Sequence, residues 1–336
     1  MNVAVTGGTG FLGRAMVRLL VPLADQVRVL VRRPQADAAI RSLGAEPVRG
    51  DLLAPGGCDD LVRSGDVVYH AAALVGTTGR LAEFRRTTVE GTRRLLDAAL
   101  ACRPTRFVYV STGAVYSARH VGGGISAGST PVAPLRHNYY ARAKLEAENL
   151  VRSECERAHV PWTIMRLACT IYGPGPSPLA KTFLTLAEGG YLYVIGSGRN
   201  QFATAYVDDA ARAVILAGVR SVAAGKIYDV ASEEPVTQRQ FVDAIADALG
   251  VARPPRHVAR WVAYTAAWLI ELWTRARGHE HLVTRWLVVL MSVDQPVDTR
   301  RIRDELGWRP EVSFEQGMKL MKQWHEQRGG PVCHCS

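Results

Sequence analysis

Short apolar runs, each bounded by polar or glycine-rich residues, punctuate the first half of the chain: NVAVTG, VRVLV, EPVRGD, DVVYHAAA and RFVYVST. Their β-branched content and lack of polar alternation predict strands buried on both faces. Between them apolar residues recur at helical spacing, in FLGRAMVRLL from about Phe11 and in a second segment from about Arg86 to Ala101. Strand alternating with helix predicts an α/β architecture, a doubly wound parallel sheet with helices on both faces. Any ligand then belongs at the carboxyl ends of the strands. From about Tyr172 the rhythm breaks at YGPGPSP and gives way to helices and isolated strands such as KIYDVAS. This predicts a first domain over residues 1–172 and a smaller C-terminal α/β lobe over 173–330, some of its elements interleaved with the sheet, and a flexible tail at 331–336.

Composition narrows the functional classes. The 336 residues are 48% apolar and 21% charged, ordinary for a globular chain with a large core. The net charge of +10 suits an anionic ligand, but the arginines are scattered and no basic run interleaves with aromatics, so nucleic acid is not an expected partner. Six cysteines, Cys58, Cys102, Cys155, Cys169, Cys333 and Cys335, form no disulfide framework and fit a cytoplasmic protein. CHCS at the C-terminus reads as a frayed end, and no metal site is expected. The N-terminus lacks the pattern of a secretory signal. The longest apolar patch, Trp261 to Trp273, is too short to span a bilayer.

The stretch VTGGTGFLG places four glycines in nine residues directly after the first strand. A glycine-rich turn between strand and helix lets backbone approach a pyrophosphate and aims free N–H groups at it. Gly7 makes the tight turn, Gly10 admits the phosphates, and Gly13 allows close helix–strand packing. Thr9, Phe11 and Leu12, interleaved with them, complete the expected contact, which marks a Rossmann-type dinucleotide-binding domain. The second strand ends in Arg32 and Arg33, with no carboxylate to hold a free ribose. Guanidinium groups there point to the 2′-phosphate of NADP(H) as the preferred cofactor, with NAD(H) the alternative.

Tyr140 and Lys144 stand four apart in YARAKLEAENLV, a segment of good helix formers, so both project from one face. An ammonium beside a phenol favours the phenolate and lowers its pKa, which would make Tyr140 a general acid or base. Thr112, just past the strand RFVYVST, supplies a hydroxyl that could orient a carbonyl.

With these residues in view, the chain resembles the extended short-chain dehydrogenases/reductases of the NAD-dependent epimerase/dehydratase superfamily, whose marks are T-G-x-x-G-x-x-G, a strand-end Ser or Thr and Y-x-x-x-K. The resemblance runs through most of the chain. It selects Thr112 over Ser111 as the catalytic hydroxyl, with Tyr140 and Lys144 contacting the cofactor as well. It gives Asp51 and Leu52 of GDL an adenine-side role and passes Ala71, Ala72 and Ala73 of HAAA beneath the cofactor. TVEGT resembles the family's N-V-x-G-T with Thr88 replacing the amide, and RLACTIYGPG, YVDDAARA and LGWRPEVSFEQGM resemble later landmarks. Gly113 and Ala114 stand where sugar-nucleotide 4,6-dehydratases carry acids, so that elimination lacks its acid and base.

The spacing within GSGRNQFATAYVDDAA is similar to the 3β-hydroxysteroid dehydrogenase-like branch, as is the apolar segment HVARWVAYTAAWLIELW, whose Trp261, Trp268 and Trp273 are read equally as core or as substrate lining. The resemblance implies an NADP(H)-dependent ketoreductase for a small-molecule partner that is bulky and apolar, steroid-like, polycyclic or long-chain. The alternatives are an epimerase that retains its nicotinamide and a cofactor-sensing protein without chemistry. A homodimer is the family habit, and arginines flanking the apolar helix (Arg260, Arg275, Arg277) point to peripheral membrane contact. The loop 117–138, with its Gly122 to Gly124 run, borders the expected substrate.

Overall fold

The computed structural model describes residues 1–76, 79–116, 125–127, 129–277 and 283–328, apart from the side chains of 275–277. Residues 117–124, with the triple glycine and His120, and the CHCS tail lie outside them, as do the Arg275 and Arg277 side chains.

The apolar runs become β1 (Asn2–Thr6), β2 (Gln26–Val31), β3 (Glu46–Arg49), β4 (Val67–His70), β5 (Arg106–Thr112), β6 (Trp162–Leu167) and β7 (Lys226–Val230). They form one parallel sheet in the order β7-β6-β5-β4-β1-β2-β3. Every residue of β4, β5 and β6 is buried, as strands covered on both faces must be. On one face Met16, Val17 and Leu20 of the helix Phe11–Leu20 and Val214 of the helix Val207–Val219 pack on Val3, Val5 and Val29. On the other, Leu95 and Leu96 of Gly91–Ala101 and Leu150 and Val151 of Tyr139–Arg157 pack on Val68, Phe107 and Ile164. Chain order reverses between β1 and β4, opening the crevice at their carboxyl ends.

The helix expected from Arg86 begins earlier. It opens at Leu81–Phe84 and passes through a π-helical stretch at Arg85–Glu90 before Gly91–Ala101. The wider turn lets Thr87 line the crevice while the next residue, Thr88, is buried.

Beyond Tyr172, short two-stranded pairings and helices build the smaller lobe, around Tyr172, Phe183, Phe202, Phe241 and Met318. Its late landmarks meet physically. Trp308, 2% exposed, donates its indole N–H to the Asp209 backbone carbonyl at 3.0 Å. The Asp209 carboxylate accepts from the backbone N–H groups of Glu311 and Val312, both at 3.2 Å, and pairs with Arg212. β7 follows much of this lobe in sequence yet completes the sheet beside β6.

One element departs from expectation. Trp261, Trp268 and Trp273 of the helix Arg260–Arg277 are 73%, 47% and 53% exposed, so they are neither core nor cleft lining. The apolar lining falls instead to Trp286 and Leu290 of the next helix, Arg285–Ser292. Among the described residues no helix is long and apolar enough to cross a membrane.

Candidate active site

The glycine turn sits at the crevice because nothing larger fits. Gly7 adopts φ +76°, and a Cβ there would lie 2.6 Å from the Ala72 backbone nitrogen. A Cβ on Gly13 would lie 2.0 Å from the Gly7 carbonyl oxygen. Gly10 N–H closes the turn onto Gly7 O at 2.9 Å, and Arg14 N–H begins the helix by donating to Gly10 O at 2.9 Å. Close approach of this loop to the Ala71–Ala73 strip leaves a cradle of bare backbone at a helix N-terminus, the donor set a pyrophosphate requires. The residues present therefore fit a dinucleotide.

A cleft of about 740 Å³ extends from this cradle. Gly7, Thr9, Gly10, Phe11, Leu12 and Gly13 line one end, with Arg32, Arg33, Asp51 and Leu52 at the β2 side and Ala71, Ala72 and Ala73 beneath. Both arginines are exposed, and no carboxylate pairs with either among the described residues. Asp51 caps its own turn by accepting from Leu53 N–H at 2.9 Å.

Thr112, Tyr140 and Lys144 line the same cleft. Thr112 ends β5, and its hydroxyl accepts from Ala114 N–H at 3.2 Å, which bends the chain into a tight turn. Asn138, 3% exposed, caps the helix Tyr139–Arg157 by accepting from Ala141 N–H at 3.0 Å, which fixes Tyr140 in the first turn. The Thr112 hydroxyl lies in the same cleft as the Tyr140 phenol and the Cys169 thiol and favours the ionised form of each. Cys169 is a component the sequence reading missed. It follows β6, and the β5–β6 register sets Leu167 opposite Thr112, so the residues beyond both strand ends converge.

The electrostatics correct one expectation. Burial, with Cys169 adding to it, pushes the Tyr140 phenol above its ordinary value despite the Thr112 contact; it is not depressed. Lys144 is itself pushed down to about 7 by burial, opposed by Glu148. Its ammonium donates to the Val110 carbonyl and lies 4.0 Å from the Tyr109 ring centroid. A desolvated ammonium committed to a backbone carbonyl does not offset the cost of ionising a buried phenol.

Two buried networks hold these groups. Glu148, one turn beyond Lys144, pairs with Arg166 of β6 at 2.7 Å and accepts from the Ser111 hydroxyl. Arg166 donates to the Tyr116 hydroxyl at 3.0 Å, which donates to Asp229 of β7 at 2.7 Å. Beneath the cofactor strip, His70 contacts the hydroxyls of Thr6 at 2.6 Å and Thr92 at 2.8 Å. Burial and the nearby Lys144 push His70 down to about 3, so it is a neutral strut. Thr6 also accepts from Ala72 N–H at 3.4 Å, and Thr88, in place of the family's amide, accepts from Leu74 N–H at 3.4 Å. Among the described residues no cluster of His, Cys, Asp or Glu could hold a metal.

Comparisons with known proteins identify the family. The model of the NAD dependent epimerase/dehydratase family matches residues 3–231. A 2-alkyl-3-oxoalkanoate reductase from Stenotrophomonas maltophilia (strain K279a) is 31% identical over 330 residues, covering 96% of this chain and 98% of that protein. A 3beta-hydroxysteroid-dehydrogenase/decarboxylase (isoform 2) from Arabidopsis thaliana is 27% identical over 343 residues, covering 94% and 60%. The crystal structure of gox2253 superposes with a TM-score of 0.79 at 26% identity, covering 98% of each chain. The family match takes in both the phosphate cradle and the Tyr140–Lys144 helix, and the protein therefore belongs to the NAD-dependent epimerase/dehydratase family, as an NAD(P)-dependent oxidoreductase of the extended short-chain dehydrogenase/reductase type.

Proposed function

We propose that the protein is an NADP(H)-dependent ketoreductase acting on a bulky apolar ketone, or on the corresponding secondary alcohol in reverse. The observation that carries this reading is the make-up of the cleft beyond Thr112 and Tyr140. There, among the described residues, the hydroxyls of Thr112, Tyr140 and Ser177 and the Cys169 thiol stand among Leu167, Ala168, Ile171, Leu179, Trp286 and Leu290, with no charged side chain besides Lys144 to meet a sugar-nucleotide. The names of relatives such as the 2-alkyl-3-oxoalkanoate reductase support an apolar, long-chain substrate.

The bound dinucleotide supplies or accepts the hydride. Thr112 orients the substrate oxygen through its hydroxyl, and Tyr140 delivers a proton to that oxygen from its phenol. A phenol kept protonated by burial suits delivery in the reducing direction at neutral pH. Lys144 holds the nicotinamide ribose, and turning its ammonium from the Val110 carbonyl toward Tyr140 would ease phenolate formation. Gly7, Thr9, Gly10, Phe11, Leu12 and Gly13 hold the pyrophosphate, Asp51 and Leu52 flank the adenine, and Ala71, Ala72 and Ala73 floor the site. Arg32 and Arg33, exposed and uncommitted to a carboxylate, select the 2′-phosphate.

The same reading takes residues 1–172 as the cofactor domain and 173–330 mainly as the substrate lobe, in a cytoplasmic homodimer with a peripheral membrane contact. The test follows NADPH absorbance with 2-alkyl-3-oxoalkanoates and cyclic ketones. Wild-type protein should oxidise NADPH stoichiometrically with ketone, and Tyr140→Phe should abolish turnover while retaining cofactor binding. Retained activity in that variant, or product formation without net NADPH loss, would overturn the proposal.

A further inference from the structure

The helix Arg260–Arg277 wears its faces reversed. Its inward face carries Ala263, Tyr264, Ala267, Ile270, Glu271 and Thr274, all buried or half-buried. Its outward face carries Trp261, Trp268, Leu269, Leu272 and Trp273, each 47% exposed or more. A surface helix ordinarily turns its apolar stripe to the core, and a contiguous exposed one marks an interaction surface. The only acid in this helix, Glu271, points inward, accepting from Arg285 N–H at 2.8 Å and pairing with that guanidinium at 2.7 Å. Next to the start of the stripe, Arg256 and Arg260 are exposed and have no carboxylate partner among the described residues.

We propose that this face docks on an anionic lipid bilayer surface. From Trp261 to Trp273 the stripe runs about 18 Å along the axis, long enough to lie in the plane of the interface and too short to cross it. Tryptophan rings favour that boundary, and arginines beside them meet lipid phosphates. Charge disfavours a second copy of this helix as the occupant. Arginines stand at both ends of its sequence, Arg260 at one and Arg275 and Arg277 at the other, so pairing two copies in either direction sets basic ends together.

The location gives the contact a use, and this part rests on the apolar-substrate reading above. The helix packs against Arg285–Ser292, whose Trp286 and Leu290 line the cleft. The docking face and the substrate lining thus belong to one helical hairpin. An apolar ketone leaving the bilayer beside this hairpin would cross little water before reaching the cleft.

The test floats full-length protein with vesicles of phosphatidylcholine alone or mixed equally with phosphatidylglycerol, while tryptophan emission is recorded. Two arginines near an anionic surface correspond to about a thirtyfold preference for the mixed vesicles at low salt. Emission should shift to the blue, since three of the seven tryptophans lie on this face. Trp268→Ser combined with Leu272→Ser should abolish flotation, and Arg260→Gln should lower it several-fold. None of these residues lines the cleft, so NADPH oxidation with a short, water-soluble ketone should stay unchanged in each. Flotation that is absent, indifferent to phosphatidylglycerol or untouched by the double variant would overturn the docking proposal. So would an oligomer in the vesicle-free wild type that the double variant disperses, because it would place a second copy on the face. Failure of ketone turnover in the wild type would count against the ketoreductase reading alone.

Discussion

Replacing Asp229 by Asn should stabilise the protein at pH 8 and leave it nearly unchanged at pH 4. Asp229 is 4% exposed in β7 and takes one hydrogen bond from Tyr116 at 2.7 Å. Burial pushes its carboxyl from 3.8 up to about 7; the hydrogen bond from Tyr116, Arg166 and the Ala127 N–H only partly oppose the rise. A raised acid binds its proton more tightly when folded, so its contribution is fully present below about pH 3.8 and is lost as pH climbs through 7. Ionising the buried carboxyl over that window costs about 4 kcal/mol at most, less whatever the surroundings relax. Asn keeps an oxygen to accept from Tyr116 and carries no charge to desolvate. Urea unfolding of both proteins at steps from pH 4 to 8 isolates the effect, because other titrating groups cancel in the difference. The difference should grow to about 2–4 kcal/mol in favour of the variant by pH 8. Parallel stability curves, or a variant weaker at pH 8, would show that Asp229 is ionised and satisfied, and would refute the account of this network.

Three other outcomes follow from the same geometry. Gly13→Ala forces a Cβ to within 2.0 Å of the Gly7 carbonyl; thermal melts with and without NADPH should show about 1–3 kcal/mol of lost stability and a smaller shift on adding cofactor. Arg32→Ala should raise KM for NADPH about tenfold or more and leave NADH nearly unaffected, as loss of a charge-assisted hydrogen bond requires; equal change for both cofactors would reject Arg32 as the phosphate ligand. Trp308→Ala removes a buried indole and its bond to Asp209, and should cost about 3–5 kcal/mol by chemical denaturation with the ratio of NADPH to NADH use unaltered.

The core sheet was legible because a parallel strand covered on both faces is apolar along most of its length, as β1, β2, β4 and β5 are, with paired polar exceptions such as Arg28 and His70. The glycine turn was legible for a steric reason, since strand, turn and helix approach too closely there for a Cβ on Gly7 or Gly13. Tyr140 and Lys144 were legible as a helical pair, but their ionisation was not. Burial sets it, and spacing along a helix carries no information about burial. Cys169 escaped notice because only the pairing of β5 with β6 brings it to Thr112. His70 escaped for a similar reason, as its hydroxyl partners come from residues 6 and 92. The helix from Arg260 was read correctly as apolar, but its tryptophans were wrongly given to the core or the substrate lining, because hydrophobic spacing shows that a stripe exists without showing what it faces.

The position of β7 has a consequence for how the chain is made. A ribosome releases β6 when residue 167 emerges, but the strand that covers its free edge ends at residue 230. Until then the nascent sheet presents an unpaired row of backbone groups, the kind of margin that invites pairing with another chain. Arg166 and Glu148 have both emerged by then, whereas Asp229, the acceptor for Tyr116, lies on the missing strand. Synthesis that stalls within this interval should leave a species prone to aggregate, and the first 172 residues expressed alone should carry the same exposed seam.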